Sequence, residues 1–132
     1  MPSVLLCEDN DPLRTAMRTL LVVRGYDCVE ASTGRTGLQL LRRHVPDAIV
    51  VDLKLPEVSG LEVILWARRQ YPDLRILAVS GMPDRYLQEA LRAGADYFLR
   101  KPFAPAEILD AVERTLGGER IEPADEPVGF SA

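Results

Sequence analysis

Residues 46–60 read PDAIVVDLKLPEVSG, and this segment is the most informative about the fold class. Residues 48–51 are apolar at every position, without the alternation of a strand that has one face in water. Such a run is typical of a strand covered on both faces, as in a parallel sheet flanked by helices. Asp52 follows the run directly, and the loop that begins there contains Pro56 and Gly60. The stretch therefore predicts a buried strand with an acidic residue at its carboxyl end.

The pattern of this strand recurs along the chain. Short apolar runs bounded by turn residues predict strands, and the longer segments between them carry apolar residues at helical spacing. We predict strands at residues 4–7, 26–31, 48–51, 75–79 and 97–100. The predicted helices run from Asp11 until Gly25, around Leu38 and Leu41, from Leu61 toward Pro72, from Pro83 to Ala93 and from Pro105 to Leu116. This alternation predicts an α/β fold with a five-stranded, doubly wound parallel sheet and five helices.

The first helix has a capping signal at its start. Asp11 is suited to cap it, with Pro12 at the first helical position, where the missing N–H is no loss. Asn10 and Asp11 are accordingly interpreted as helix-capping residues and not as ligands.

Composition limits the class of protein. The chain has 132 residues, of which 47% are hydrophobic, enough for one domain with a buried core. Its net charge of −4 argues against direct nucleic-acid binding. No apolar run approaches the roughly 18 residues of a membrane span, and no signal peptide precedes the first strand, so we expect a cytoplasmic protein. Cys7 and Cys28 lack metal-ligand spacing, and we interpret them as buried thiols in a reducing compartment.

The chain changes character after the last predicted helix. Residues 1–117 are expected to form the domain. Beyond them, Gly118, Pro123 and Pro127 stand among acidic residues, with too little apolar periodicity to pack. We therefore expect residues 118–132 to be a flexible tail or a linker.

Polar residues follow the predicted strands at their carboxyl ends. They are Glu8 and Asp9 after the first strand, Asp52 after the third, Ser80 after the fourth and Lys101 after the fifth. In a parallel sheet these ends share one edge, where α/β proteins bind their ligands. Carboxylates suit a divalent cation, whereas a hydroxyl and an ammonium group suit phosphoryl oxygens. The set therefore predicts a site for a divalent cation and a phosphoryl group.

Taken singly, each of these residues has a simpler interpretation. Glu8 and Asp9 could form a solvated turn, Ser80 could be an ordinary turn hydroxyl, and Lys101 could be a surface lysine. It is their convergence on one edge of the sheet that favours a binding site.

Combined with their spacing, these residues resemble a known set of motifs. The motifs are Glu8-Asp9, Asp52 with Pro56 and Gly60, Ser80-Gly81, and Lys101-Pro102-Phe103. In this order they resemble the receiver domain of two-component response regulators, over about residues 3–117. The resemblance implies a flavodoxin-like sheet with strand order 2-1-3-4-5. It also implies a phosphoacceptor domain that catalyses only its own phosphorylation and dephosphorylation.

The resemblance implies a role for each residue at the phosphoryl group. Asp52 would accept the phosphoryl group from a phosphohistidine on a sensor histidine kinase or a histidine phosphotransfer protein. Lys101 would pair with the phosphoryl group, and Ser80 would donate a hydrogen bond to one of its oxygens. The peptide bond between Lys101 and Pro102 would be cis.

The resemblance also implies Mg²⁺ as the cofactor. Asp9 and Asp52 would bind it directly, Glu8 would act mainly through water, and the backbone carbonyl of Lys54 would complete the protein's ligands. A divalent cation relieves the mutual repulsion of clustered carboxylates. Glu8 stands where the family more often has Asp, which makes this side chain longer by a methylene group.

Ser80 and Phe98 would form the switch. Phe98 stands where the family often has Tyr, so an inward rotamer of the ring would lack a hydroxyl to hold it. The surface expected to change comprises the helix after Ser80, the strand that contains Phe98 and the final helix. Its exposed residues are predicted to be Arg85, Gln88, Glu89, Arg92, Arg100 and Glu113. A downstream protein would bind there, and the chain would be a monomer or a phosphorylation-dependent dimer.

Two other functions remain open from the sequence. A haloacid-dehalogenase-type phosphohydrolase also uses an aspartate nucleophile at a strand end, but that family has a second Asp two residues later, where this chain has Lys54. A receiver-fold interaction domain that works without phosphorylation is the other alternative. The presence of Asp52, Ser80 and Lys101 together with the acidic pair argues against it.

Overall fold

A computed structural model of the chain describes residues 1–124. In this range five strands alternate with five helices. The strands are β1 (Ser3–Cys7), β2 (Asp27–Ala31), β3 (Ala48–Asp52), β4 (Arg75–Ser80) and β5 (Tyr97–Arg100). The helices are α1 (Asp11–Val23), α2 (Gly34–Arg43), α3 (Gly60–Gln70), α4 (Asp84–Ala93) and α5 (Pro105–Leu116). All strands pair in parallel in the order β2-β1-β3-β4-β5, which confirms the predicted fold.

The core consists of two layers, one on each face of the sheet. Along β3, Ile49 and Val51 belong to the layer that also contains buried residues of α2, α3 and α4. Val50 points the other way, into the layer formed with α1 and α5. Every residue of β3 is buried. Because both faces of this strand are removed from water, apolar side chains are favoured at successive positions and not at alternate ones.

The first helix begins one residue away from its predicted cap. The N-cap is Asn10 and not Asp11, since the Asn10 side chain accepts a 3.0 Å hydrogen bond from the Leu13 N–H. Asp11 is the first residue of α1, and its carboxylate pairs with Arg14 at 2.7 Å. Both residue types can cap a helix, so the path of the chain out of β1 decides between them.

The second helix begins before the leucines that predicted it. Thr33 caps α2 by accepting a 3.0 Å hydrogen bond from the Thr36 N–H. Gly34 follows the cap, and a Cβ there would lie 1.9 Å from the carbonyl oxygen of Val58. Glycine weakens a helix, but at this position it allows α2 to touch the loop after β3. This contact explains why the helical pattern is weak at its start.

The two cysteines differ in exposure. Cys7 is buried, whereas Cys28 is only half-buried, and both are free thiols. The interpretation of both as buried thiols is therefore wrong for Cys28. The reason is that Cys28 lies on β2, which forms one edge of the sheet.

The chain continues beyond α5 in contact with the domain. Gly118 follows the helix with a φ of 90°, a conformation that favours glycine. Ile121 is half-buried against the core layer of α2, α3 and α4, and its N–H donates to the Asp96 carbonyl at 2.7 Å. The prediction of an unpacked tail from residue 118 onward is wrong for Ile121, because its apolar contacts lie on elements that are distant in the sequence. Residues 125–132 of the expected tail lie outside the described residues.

No helix within residues 1–124 is long and apolar enough to span a lipid bilayer.

Candidate functional site

The polar residues at the strand ends lie together at one edge of the sheet. Carboxylate oxygens of Glu8, Asp9 and Asp52 lie within 4.8 Å of one another. Glu8 and Asp52 are buried, whereas Asp9 is exposed to solvent. Lys101 reaches this cluster from the end of β5. The site opens into a pocket of about 520 Å³, whose lining includes Asp9, Asp52, Lys54, Met82 and Lys101.

The ammonium group of Lys101 joins two of the acids. Its Nζ donates to Asp52 Oδ2 at 2.7 Å and lies 2.9 Å from Glu8 Oε1. Burial by itself would lower the pKa of Lys101, but the contacts with Asp52 and Glu8 outweigh burial and raise the pKa. The lysine is therefore a permanent cation that offsets part of the negative charge of the cluster.

Glu8 is the acid most strongly affected by its surroundings. Burial raises the pKa of Glu8 to about 7, although the Asn10 N–H and Lys101 act in the opposite direction. Its Oε2 accepts a 3.1 Å hydrogen bond from the Asn10 N–H. Its Oε1 is buried and has no hydrogen-bond partner of good geometry within the described residues, because Lys101 approaches it only as an ion pair. A buried carboxylate oxygen in this state is suited to a cation or to a water molecule bound by one.

Asp52 is held by its own loop. Its Oδ1 accepts a 3.0 Å hydrogen bond from the Lys54 N–H, and its Oδ2 is bound by Lys101. The loop closes where the Gly60 N–H donates to the Leu53 carbonyl at 2.9 Å. Both carboxylate oxygens are thus oriented by protein groups. The side chain of Lys54 is exposed, so the contribution of this residue to the orientation of Asp52 comes from its backbone.

Ser80 lies at the end of β4, beside the pocket. Its side chain is buried, and its Oγ accepts a 2.9 Å hydrogen bond from the Met82 N–H. This contact uses the hydroxyl as an acceptor, so its proton remains available for donation.

Phe98 lies on β5, away from the acidic cluster. It is half-buried against the core layer that includes Leu87 of α4. The guanidinium carbon of Arg100 lies 4.8 Å from the centre of the Phe98 ring, and Arg100 also pairs with Asp84 at 2.8 Å. Phe98 therefore lies between β5 and the surface of α4. The prediction that all six residues of that surface are exposed is wrong for Gln88, which is half-buried and accepts a hydrogen bond from the Ala124 N–H. The exposed ones are Arg85, Glu89, Arg92, Arg100 and Glu113.

Sequence reasoning missed the support for the acidic pair. Arg14 of α1 donates to the Glu8 carbonyl at 2.8 Å and pairs with Glu30 of β2 at 3.2 Å. A basic residue one turn into a helix gives no local signal of such a contact. The expected cis peptide bond between Lys101 and Pro102 is confirmed.

The acidic cluster fits a hard divalent cation. Its three carboxylates supply oxygen ligands, and one of these oxygens, Glu8 Oε1, is buried and accepts no hydrogen bond within the described residues, although Lys101 lies beside it. Calcium and magnesium prefer such oxygen ligands, whereas zinc sites more often use Cys and His. The residues are thus consistent with Mg²⁺ binding.

Comparison with known proteins relates this arrangement to a family. Residues 4–113 match the response regulator receiver domain. The chain is 39% identical over 122 residues to the transcriptional regulatory protein AfsQ1 of Streptomyces coelicolor, an overlap of 91% of this chain and 54% of AfsQ1. It is 31% identical over 118 residues to the polar-differentiation response regulator DivK of Brucella ovis, with 87% of this chain and 96% of DivK covered. The chain thus spans about half the length of AfsQ1 and nearly all of DivK.

Solved structures share the same fold. A two-component response regulator of the LuxR family from Aurantimonas sp. SI85-9A1 has a TM-score of 0.84 and 31% sequence identity. The alignment covers 95% of this chain and 91% of the Aurantimonas chain. A CheY-like receiver domain protein from Methanospirillum hungatei JF-1 has a TM-score of 0.84 at 24% sequence identity, with 89% of this chain and 94% of the Methanospirillum chain covered. At this identity the likeness is one of fold alone. The residues matched by the family include all those of the candidate site, from Glu8 to Lys101. The chain belongs to the response regulator receiver domain family.

Proposed function

We propose that Asp52 is the phosphoacceptor and that the chain works as a phosphorylation-controlled signalling domain. The donor would be a phosphohistidine of a sensor histidine kinase or a histidine phosphotransfer protein. The observation that carries the proposal is the contact of 2.7 Å between Asp52 Oδ2 and Lys101 Nζ at an open pocket. This contact sets a nucleophilic carboxylate beside a cation that can neutralise the negative charge of an incoming phosphoryl group.

The transfer itself requires only one bond to form and one to break. A carboxylate oxygen of Asp52 attacks the phosphorus atom, and the phosphorus–nitrogen bond of the phosphohistidine breaks. The electron pair of that bond returns to the imidazole. The phosphoryl group then brings about two negative charges to Asp52, and we propose that Lys101 Nζ and the Ser80 hydroxyl would bind its oxygens.

A magnesium ion would be held by the acidic cluster. Asp9 and Asp52 are the proposed direct ligands, together with the backbone carbonyl of Lys54, and Glu8 would act mainly through water. The cation would supply charge neutralisation while the phosphoryl group is transferred. Lys101 and the Lys54 N–H would keep Asp52 oriented for attack.

The output would be a change at the surface of α4, β5 and α5. Ser80 is followed by the loop that leads into α4, and Lys101 directly follows β5. A response of these two residues to the phosphoryl group would therefore shift α4 and β5. The side chain of Phe98, on β5, would move with them. The proposed consequence is the binding of a downstream protein, or of a second copy of the chain, at this surface. We place the protein in the cytoplasm, where sensor kinases phosphorylate their partners, and assign it no reaction beyond its own phosphorylation and dephosphorylation.

The test is chemical phosphorylation of the full chain. With Mg²⁺ and acetyl phosphate, intact-mass spectrometry should show a single added phosphoryl group that hydroxylamine removes. The Asp52→Asn variant should remain unmodified. The matched control, Asp73→Asn, alters an exposed acid outside the site and should be modified like the unaltered chain. Equal modification of the Asp52→Asn variant would show that another residue is the acceptor.

A further inference from the structure

Residues that follow α5 contact part of the proposed output surface. Residues 119–124 follow α5 and reach from the start of β5 to α4, and we call them the C-terminal strap. The Ala124 N–H donates to Gln88 Oε1 at 2.7 Å, and the Ala124 carbonyl accepts from Arg92 Nη2 at 3.0 Å. Gln88 and Arg92 are one helical turn apart on α4 and so lie on the same face. Together they bind both hydrogen-bonding groups of one backbone residue.

The middle of the strap is anchored beside β5. Ile121 is half-buried against the core, and its N–H donates to the Asp96 carbonyl at 2.7 Å. Asp96 immediately precedes β5, and its own side chain is fixed. Its Oδ2 accepts from the Ile76 N–H at 2.8 Å and from Arg68 at 3.0 Å. Ile121 is therefore attached to the sheet, whereas Ala124 is attached to α4.

The strap thus connects the two elements that lead away from the candidate site. Ser80 is joined to α4 by a short loop, and Lys101 directly follows β5. These are the two residues proposed to bind the phosphoryl group on Asp52. Movement of α4 relative to β5 would change the distance that the strap spans. The three hydrogen bonds of Ile121 and Ala124 therefore favour the one arrangement of α4 and β5 in which all of them form.

We infer that the C-terminal strap stabilises the unphosphorylated arrangement of α4 and β5 and is released when Asp52 is phosphorylated. Release would free the side chains of Gln88 and Arg92 from their hydrogen bonds to Ala124 and make them available to a partner. This inference rests on the proposed function of Asp52. A contact that favours one of two states must lower the affinity of a ligand that favours the other state. By the same coupling, binding of that ligand must weaken the contact equally.

The first part of the test is amide hydrogen exchange on the full chain. Without ligand, the amides of Ile121 and Ala124 should exchange more slowly than those of an unstructured peptide. With Mg²⁺ and beryllofluoride, a mimic of the phosphoryl group, both should lose protection. Unprotected amides in the ligand-free chain would overturn the inference. Protection that stays constant while the amides near Asp52 shift would also overturn it.

The second part measures the affinity for beryllofluoride in the presence of Mg²⁺. The double variant Gln88→Ala/Arg92→Ala removes the contacts to Ala124 and should bind the mimic about fivefold more tightly. Ile121→Pro removes the N–H that donates to the Asp96 carbonyl and leaves α4 unaltered. This variant should also bind the mimic more tightly. The matched control is Gln39→Ala/Arg69→Ala, which changes an exposed glutamine and an exposed arginine on α2 and α3 and should leave the affinity unchanged.

The outcomes separate this inference from the function on which it rests. If both strap variants bind the mimic as the unaltered chain does, while the amides near Asp52 shift, the strap is a fixed part of the fold and the inference is wrong. If the amides near Asp52 do not respond to the mimic in any chain, the proposed function is wrong, and the coupling to the strap is wrong with it.

Discussion

At the scale of single residues, Cys7 shows how sharply the core is divided from the site. It is the last residue of β1 and directly precedes the acidic pair, yet it is buried. A Cβ at Gly37 would lie 2.9 Å from its Sγ, so α2 packs closely over it. Burial raises the pKa of the Cys7 thiol to about 12, because the thiolate would lose its hydration. Burial, and to a lesser degree Glu30, raises the pKa of Cys28 to about 11.

We predict that Cys28 reacts slowly with a thiol reagent at about pH 8 and that Cys7 reacts only on unfolding, because the thiolate is the reactive form. Since the pKa of Cys28 is raised to about 11, its rate of labelling should increase with pH up to that value. Cys28→Ser should abolish labelling of the native protein, whereas Cys7→Ala should leave the rate unchanged. Fast labelling of the folded Cys28→Ser chain would contradict the burial of Cys7. Kinetics with a chromogenic disulfide reagent provide the measurement.

At the scale of elements, the connection between β3 and α3 is closely packed at Gly60. A Cβ at Gly60 would lie 2.0 Å from the carbonyl oxygen of Asp52 and 2.7 Å from the Cα of Leu53. These are backbone atoms, so no side-chain rotation could relieve the clash. The first residue of α3 is therefore in direct contact with the backbone of the proposed phosphoacceptor.

We predict that Gly60→Ala lowers the free energy of unfolding by about 3 kcal/mol, at the upper end of common single substitutions. The added methyl group would force apart two backbone segments that cannot separate without moving Asp52. Gly117→Ala is the matched control, since the nearest atom to its Cβ would be the Glu113 carbonyl oxygen at 3.2 Å. It should change the stability by no more than about 0.5 kcal/mol. Urea denaturation of both variants is the measurement, and equal stabilities would show that the loop can relax.

At the scale of the whole molecule, folding brings three acids to one place. Glu8 and Asp9 come from the end of β1 and Asp52 from the end of β3, and Lys101 supplies only one positive charge to them. Charge repulsion within the cluster opposes folding. A cation that binds only the folded state offsets this repulsion and stabilises the protein by mass action.

We predict that Mg²⁺ raises the melting temperature. With a dissociation constant in the millimolar range, a concentration about ten times higher should add roughly 1.4 kcal/mol, on the order of 5 °C for a domain of this size. Asp9→Asn should lose most of the shift, because Asp9 supplies an exposed carboxylate to the cluster. Asp11→Asn is the matched control and should keep the shift, since Asp11 pairs with Arg14. Scanning calorimetry with and without Mg²⁺ is the measurement. An undiminished shift of the melting temperature in the Asp9→Asn chain would refute the assignment of Asp9 as a ligand.

Much of the fold and of the candidate site could be predicted because it depends on local patterns. The unbroken apolar run of β3 follows from burial on both faces, and the bounds of β5 and α5 agree with the prediction. The gathering of Glu8, Asp52 and Lys101 at one edge follows from the geometry of parallel strands. The order of the strands required the family resemblance, because hydrophobic patterns do not state which strands are neighbours.

Local sequence patterns therefore suffice to predict the element types, the buried faces and the chemistry at the strand ends, since each is a property of a short segment. The tertiary structure alone decided which of two adjacent capping residues, Asn10 or Asp11, begins α1. It also decided that Ile121 binds at Asp96 and that Ala124 binds at Gln88. These contacts join residues that are far apart in the chain, and no local periodicity encodes a distant partner. Their formation depends on the assembled surfaces of α4 and β5, which exist only after the sheet has folded.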